Sequence, residues 1–206
     1  DYNLIAFVDK LKRRWEYRYD ARGNLLSVSG PLNWSATYTY NDANNLTSAK
    51  DALDRVTTYA WVDGNLVSVQ YHDMAVETYT YDGYGQLRTA SDPNGHITTF
   101  GHDAAGNLIS IRSPEGRTTS YRYDAAGRMV EMVDGNNHAV SLSYDDNDNV
   151  LSVIDPEGQE SVFEYDGNDM LLRVVDRRGG ERTYVYDVNL RLIAETDPEG
   201  YRDRDK

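Results

Sequence analysis

Tyr121-Arg122-Tyr123-Asp124-Ala125-Ala126-Gly127-Arg128-Met129, followed at Asp134-Gly135 by a second turn signal, is the stretch that decides the fold. The same block returns in both directions along the chain. Its second aromatic falls at Tyr19, Tyr40, Trp61, Tyr81, His102, Tyr123, Tyr144, Tyr165 and Tyr186. Every step is 21 residues except the 20 from Trp61 to Tyr81. An apolar column keeps the same phase at Leu25, Leu46, Leu66, Leu87, Leu108, Met129, Val150, Leu171 and Leu192. Both columns place the one missing residue between Trp61 and Leu66. Two columns in phase over nine units make the chain a tandem repeat.

Each unit carries two turn signals. The first is Asp-x-x-Gly, at Asp20 to Gly23, Asp82 to Gly85, Asp103 to Gly106 and Asp124 to Gly127. The second is Asp-Pro-x-Gly or a close variant, at Asp92-Pro93 to Gly95, Ser113-Pro114 to Gly116, Asp155-Pro156 to Gly158 and Asp197-Pro198 to Gly200. Asp at the first position and Gly at the fourth suit a type I turn, and Pro at the second has its φ already set. The Asp carboxylate accepts backbone N–H groups within the turn. The Gly takes positive φ and enters the next strand through a bulge.

Two short strands lie between the turns. One ends in an aromatic pair at spacing two, which shares a face: Tyr17 and Tyr19, Tyr38 and Tyr40, Tyr79 and Tyr81, Tyr121 and Tyr123, Tyr184 and Tyr186, with Tyr165 closing its own strand. The residue before the pair, mostly Thr or Ser (Thr37, Thr58, Thr78, Thr99, Ser120, Ser141, Thr183), points to the other face. In the second strand the apolar columns are three apart, as Leu25 and Val28, so either a bulge intervenes or both faces are partly covered. Gly and Pro recur too often for helices, except in degenerate stretches such as Asp51 to Val56. The expected fold is all-β: tandem 21-residue hairpins in one antiparallel sheet of about 18–20 strands, which twist makes curl. Asn3-Leu4 already aligns with Asn24-Leu25. Residues 1–206 therefore read as a single repeat array with partial repeats at both ends, a fragment of a longer protein.

Composition bounds the function. Net charge is −13, from 34 acidic and 21 basic residues, which argues against a nucleic-acid binder and a polybasic membrane anchor. The longest apolar run is Leu4 to Val8, so no segment spans a bilayer. With no Cys, thiol catalysis and Cys-ligated metals are excluded. Leu, Ile, Val and Phe number only 42 of 206 residues, near the level where disorder is the default reading; 17 Tyr tip the balance toward half-exposed sheets.

No catalytic, cofactor-binding or metal-binding residue is assigned. His72, His96, His102 and His138 fall on different repeat phases without a ligand spacing, and His102 stands in the aromatic column. The abundant Asp residues have a sufficient role in turns. Asp145 to Asn149 superficially resembles a calcium loop but lacks its central Gly and aligns better as a degenerate turn. Lys10 to Arg14 and Arg177-Arg178 read as solvated turns. Neither G-x-S-x-G nor a phosphate-cradling Gly motif occurs. Exposed Tyr with Asp and Asn leaves sugar stacking as an alternative chemistry.

The unit Tyr-x-Tyr-Asp-x-x-Gly-x-Leu, with Asp-Pro-x-Gly after it, resembles the YD repeat of Rhs proteins across essentially the whole chain. Tyr79 to Leu87 followed by Asp92 to Gly95 is a close instance. Trp61, His102, Asp169 in place of the turn Gly, and Arg177-Arg178-Gly179 depart from the pattern. The family includes bacterial polymorphic toxins, shell subunits of insecticidal toxin complexes, wall-associated proteins and teneurins. The resemblance implies a spiral β-sheet closing into a hollow shell. In toxin members the shell encloses a C-terminal toxin, released by an aspartyl self-cleavage element beyond the repeats. It further implies a secreted or secretion-system-delivered protein in interbacterial competition, whose partners are the rest of its own shell and the enclosed toxin. The alternative is a surface-displayed array that binds glycans or cell-surface proteins.

Overall fold

The structure is a computed structural model that describes residues 3–197, 199 and 202–203. Pro198 and Gly200 of the last Asp-Pro-Glu-Gly signal lie outside the described residues. By contacts the chain divides into two compact units, 1–99 and 100–206.

The first unit holds β1 (Ala6–Val8), β2 (Arg14–Tyr19), β3 (Leu25–Ser29), β4 (Ser35–Tyr40), β5 (Leu46–Lys50), β6 (Val56–Val62), β7 (Asn65–Gln70), β8 (Val76–Tyr81), β9 (Leu87–Ser91) and the start of β10 (Ile97–His102). The second holds the end of β10, then β11 (Leu108–Arg112), β12 (Thr118–Tyr123), β13 (Met129–Val133), β14 (Ala139–Tyr144), β15 (Val150–Ile154), β16 (Glu160–Tyr165), β17 (Leu171–Val175), β18 (Glu181–Tyr186), β19 (Leu192–Thr196) and β20 (Arg202–Asp203). From β1 to β10 each strand pairs antiparallel with the next in sequence. The same holds from β11 to β20.

The three-residue spacing in the apolar strand is a bulge. Tyr121 lies opposite Met132 and Tyr123 opposite Met129, with the register slipping between Arg122 and Tyr123. Three steps on one strand thus match two on the other, and Val130 is the extra residue. The slip recurs at the equivalent place in β2–β3, β4–β5, β6–β7 and β8–β9 of the first unit and in β14–β15, β16–β17 and β18–β19 of the second. It keeps Leu25 and Val28 on the face of Tyr19 and Tyr17.

Alternation follows from the pleat. In β12, Thr118, Ser120 and Arg122 are exposed while Thr119, Tyr121 and Tyr123 are half-buried. Among the described residues only Val28, Ala36 and Val69 are buried. With no second layer over it, such a sheet gains its stability from cross-strand pairs rather than a thick core. Its polar face is laced by Thr39–Thr47 (2.9 Å), Thr80–Thr89 (2.6 Å) and Ser143–Ser152 (2.8 Å) hydroxyl bonds, and by Arg173 between Glu164 and Glu181.

Both turn classes share one geometry. Gly127 N donates to Asp124 O and Asp124 N to Arg128 O, both at 3.0 Å, and Gly127 sits at φ 83°. Asp155 and Gly158 repeat this with Pro156 between them. The departures keep the conformation: Asp169 (φ 61°), Asp148 (φ 70°) and Leu190 (φ 62°) occupy the Gly position. The one-residue deletion falls at Asp63 and Gly64 (φ 50° and 81°), where Val62 pairs Asn65 across a two-residue turn of the type I′ class. Asp51 to Val56, open to a helix on sequence, is a turn leading into β6. A 3-10 turn instead occupies Pro31–Asn33, with Leu32 at φ 58°.

Candidate functional site

The repeated chemistry of the chain lies in two places: the aromatic columns and the turn rims. In the second aromatic column, seven side-chain donors reach back 15 residues to a backbone carbonyl of the apolar column, whereas among the described residues Tyr165 and His102 make no such bond. In the first unit, Tyr19 Oη donates to Leu4 O (3.2 Å), Tyr40 Oη to Leu25 O (3.1 Å), Trp61 Nε1 to Leu46 O (2.7 Å) and Tyr81 Oη to Leu66 O (2.9 Å). In the second unit, Tyr123 Oη donates to Leu108 O (2.9 Å), Tyr144 Oη to Met129 O (2.7 Å) and Tyr186 Oη to Leu171 O (3.0 Å). Trp61 preserves the bond because its indole also carries one donor. Burial pushes the Tyr40, Tyr165 and Tyr186 phenols up from their ordinary value, which keeps the Tyr40 and Tyr186 donors protonated.

The first column works by packing. Tyr17 lies opposite Val28, Tyr38 opposite Ala49, Tyr121 opposite Met132 and Tyr184 opposite Glu195. In this column, among the described residues, Tyr79 alone is held by a carboxylate: its hydroxyl donates to Glu77 Oε2 at 2.6 Å, and Tyr71 donates to Oε1 at 3.0 Å. That bond and then burial push Tyr79 up to about 12. Reading the sequence for ring area alone missed the split between the columns. Its signal was present: the second column is Tyr, Trp or His throughout, whereas the first admits Phe100, Leu142 and Phe163, which have no side-chain donor.

At the rims each turn carboxylate is engaged locally. Asp124 Oδ1 accepts Ala126 N (2.9 Å) and Arg128 N (3.0 Å), and Asp103, Asp92, Asp82, Asp20 and Asp155 do the same in their own turns. The Arg128 amide holds the Asp124 carboxyl below its ordinary value, as the Gln159 amide does at Asp155. The Asn107 side chain does so at Asp103, and the Asn24 side chain at Asp20. A general acid has to keep its proton near the working pH, and these groups are shifted the opposite way.

The residue after the turn Gly ties neighbouring hairpins together. Asn24 Nδ2 donates to Asn44 Oδ1 (2.9 Å), and Asn149 Nδ2 to Asp169 Oδ1 (2.8 Å). Arg128 donates to Asp145 O (2.6 Å) and Asp148 Oδ1 (2.9 Å), with its guanidinium 4.8 Å from the Tyr144 ring centroid. Asp145 to Asn149 is therefore a turn whose carboxylate caps Asn147 N and Asn149 N. His96 and His138 each bond their own turn Asp, Asp92 and Asp134, at 2.9 and 3.1 Å. Among the described residues no three His, Asp or Glu side chains converge as metal ligands, and no helix is long and apolar enough to cross a membrane. The surface concavities are open grooves along the sheet, one lined by Asp103, Asn107, Tyr121 and Tyr123.

Comparison with known proteins places this geometry. The family model described as RHS Repeat matches residues 19–55, 40–73, 81–118, 102–139, 144–181 and 165–202. No curated protein matches the sequence. Among solved structures, a chain of the crystal structure of TcdB2-TccC3 is similar over 95% of this chain, with 17% identity and a TM-score of 0.53. The form of that complex without its hypervariable C-terminal region is similar over 89%, with 17% identity and a TM-score of 0.53. The TcdB2-TccC3-Cdc42 complex gives 90%, 14% and 0.50. The likeness is one of fold, and this chain spans 13 to 15% of the length of those chains.

Proposed function

Because the chain belongs to the RHS repeat family, we propose that it is a non-enzymatic stretch of a repeat shell that encloses a C-terminal toxin or effector of the same longer polypeptide. The observation that carries this reading is the hydroxyl stitch. Cross-hairpin bonds from Tyr19, Tyr40, Trp61 and Tyr81 in the first unit, and from Tyr123, Tyr144 and Tyr186 in the second, add to the strand ladder that joins successive hairpins within each unit. The turn carboxylates finish the rims by consuming their own amides, leaving each hairpin able to add the next. The wall acts by steric and solvent isolation, and its repeated side chains are structural parts. The protein is delivered from the cell that makes it, with the toxin as cargo and the rest of the shell as its neighbour.

Limited proteolysis with intact-mass readout, on the full polypeptide carrying this array, tests the proposal. The expected result is a C-terminal fragment that is cut from the repeats yet retained and protected. A C-terminus digested as fast as an unfolded control refutes enclosure. Saturable binding on a glycan array, together with free digestion, would favour the displayed recognition array instead.

A further inference from the structure

One rim of the first unit departs from its repeat pattern. The turns joining β1 to β2, β3 to β4, β5 to β6 and β7 to β8 lie at the same end of a sequential meander, about 10 Å apart at two strand spacings per step. Leu11, Leu32 and Leu53 stand at the third position of the first three turns and Met74 at the fourth, positive-φ position of the next, and they are 73%, 101%, 72% and 72% exposed; the following turn, from β9 to β10, has Asn94 at its third position. Trp34, 40% exposed, stands beside Leu32 and meets Trp15 edge to face. At the third position of its corresponding turns the second unit has Glu115, Asn136, Glu157 and Arg178.

Nothing inside the unit asks for apolar tips. The turns are closed by backbone and carboxylate: Asp9 Oδ1 accepts Leu11 N and Arg13 N, and Asp51 Oδ1 accepts Leu53 N and Arg55 N. Single exposed apolar residues are ordinary, but four aligned with an indole form a patch of the kind that marks an interaction surface. The rim is also polarised. At the β1–β2 end, Lys10 and Lys12 flank Leu11, while Arg13 is paired to Asp9 and Arg14 to Glu16. At the β7–β8 end, Asp73 precedes Met74, and its carboxylate accepts only the Ala75 amide among the described residues.

We propose that this rim docks on the same rim of a second copy of the chain, antiparallel, about a two-fold axis near the Leu32 and Leu53 turns. A two-fold contact is self-complementary. Here it sets Lys10 and Lys12 of each copy against Asp73 of the other, whereas a parallel contact sets like charges together. Gaps of about 10 Å between tips admit the tips of the opposing comb, offset by half a step. Five apolar tips of roughly 100 Å² each bury about 1,000 Å² in total, the low end for a specific interface, so the dimer is weak and forms at about tens of micromolar. It needs no cargo and no further chain, so its failure and the failure of enclosure are separate results.

Sedimentation equilibrium of the full 206-residue chain, from about 1 to about 200 µM, reads the association. Expected is a monomer–dimer equilibrium weakened more than about tenfold by Leu32→Ser with Leu53→Ser. Because the tips are exposed, the variant keeps the wild-type circular dichroism. Lys10→Asp with Lys12→Asp weakens the dimer at low salt, and adding Asp73→Lys restores it. A monomer throughout overturns the proposal, as does association indifferent to the Leu changes, which assigns it to open strand edges. Failure of Asp73→Lys to restore binding overturns the antiparallel arrangement. Cosedimentation with phosphatidylglycerol vesicles that is lost in the Leu variant, by a chain that stays monomeric, would assign the rim to a lipid surface.

Discussion

Replacing Tyr144 by Phe removes one oxygen and leaves the ring, so it isolates the cross-hairpin bond. The hydroxyl donates to Met129 O at 2.7 Å from a half-buried position. A neutral bond of this kind contributes about 1 kcal/mol net, and leaving its acceptor partly buried without the donor raises the loss toward about 2 kcal/mol. For a chain of this size about 1 kcal/mol moves the melting temperature by roughly 2–4 °C, so Tyr144→Phe is expected to lower it by about 2–8 °C. The control is built into the same repeat pattern. Tyr121 also sits on the half-buried face, opposite Met132, and among the described residues its hydroxyl has no protein partner. Tyr121→Phe is expected to shift melting by less than about 1 °C. Tyr144→Phe and Tyr186→Phe act on separate hairpins and are expected to add when combined. Thermal melts followed by far-UV circular dichroism make the comparison. Equal effects of Tyr121→Phe and Tyr144→Phe would refute the reasoning and return the second column to packing alone.

The remaining expectations concern turns and close contacts. Leu190→Gly relieves a Leu held at φ 62° and is expected to raise stability by about 0.5–1 kcal/mol, read as a higher urea midpoint. Gly30→Ala places a Cβ 2.5 Å from Trp15 ring carbons, so a loss of about 1–3 kcal/mol is expected, along with a change in the near-UV signal of the Trp15–Trp34 pair, whose ring centroids are 5.2 Å apart. The turn carboxyls of Asp20, Asp92, Asp103, Asp124, Asp134, Asp145, Asp155 and Asp176 are all held below the ordinary carboxylate value by the hydrogen bonds they accept. Their folded-state pKa lies below the unfolded one, so their stabilisation is present above the unfolded pKa and lost as pH falls through the folded values. The urea midpoint is therefore expected to hold near neutrality and drop between about pH 5 and pH 2; a midpoint that rises on acidification would contradict this sign.

How much of this was legible depended on whether the cause was local. Asp124 and Gly127 announce their turn because its requirements, an oxygen beside two amides and a residue at positive φ, are met within five residues. That is why the period and the hairpins could be read, and why the deletion between Trp61 and Leu66 could be placed before the two-residue turn at Asp63-Gly64 was seen. The bulge could not be chosen from Leu25 and Val28 alone, because it is a property of two strands in register. The stitch was hidden for a further reason. Its acceptor is a backbone carbonyl, which has no letter in the sequence, and only the donor leaves a trace. That trace is the contrast between a column that admits Phe100, Leu142 and Phe163 and one that holds Tyr, Trp or His throughout, seven of whose nine members make the bond among the described residues. A repeat array thus records long-range hydrogen bonds as restrictions on a column, and comparing what two neighbouring columns tolerate separates a ring kept for its area from one kept for its donor. The Leu11, Leu32, Leu53 and Met74 rim follows the same logic in reverse. There the local turn chemistry tolerates any side chain at the third position, so the apolar residue repeated there at Leu11, Leu32 and Leu53 records a cause outside the turn.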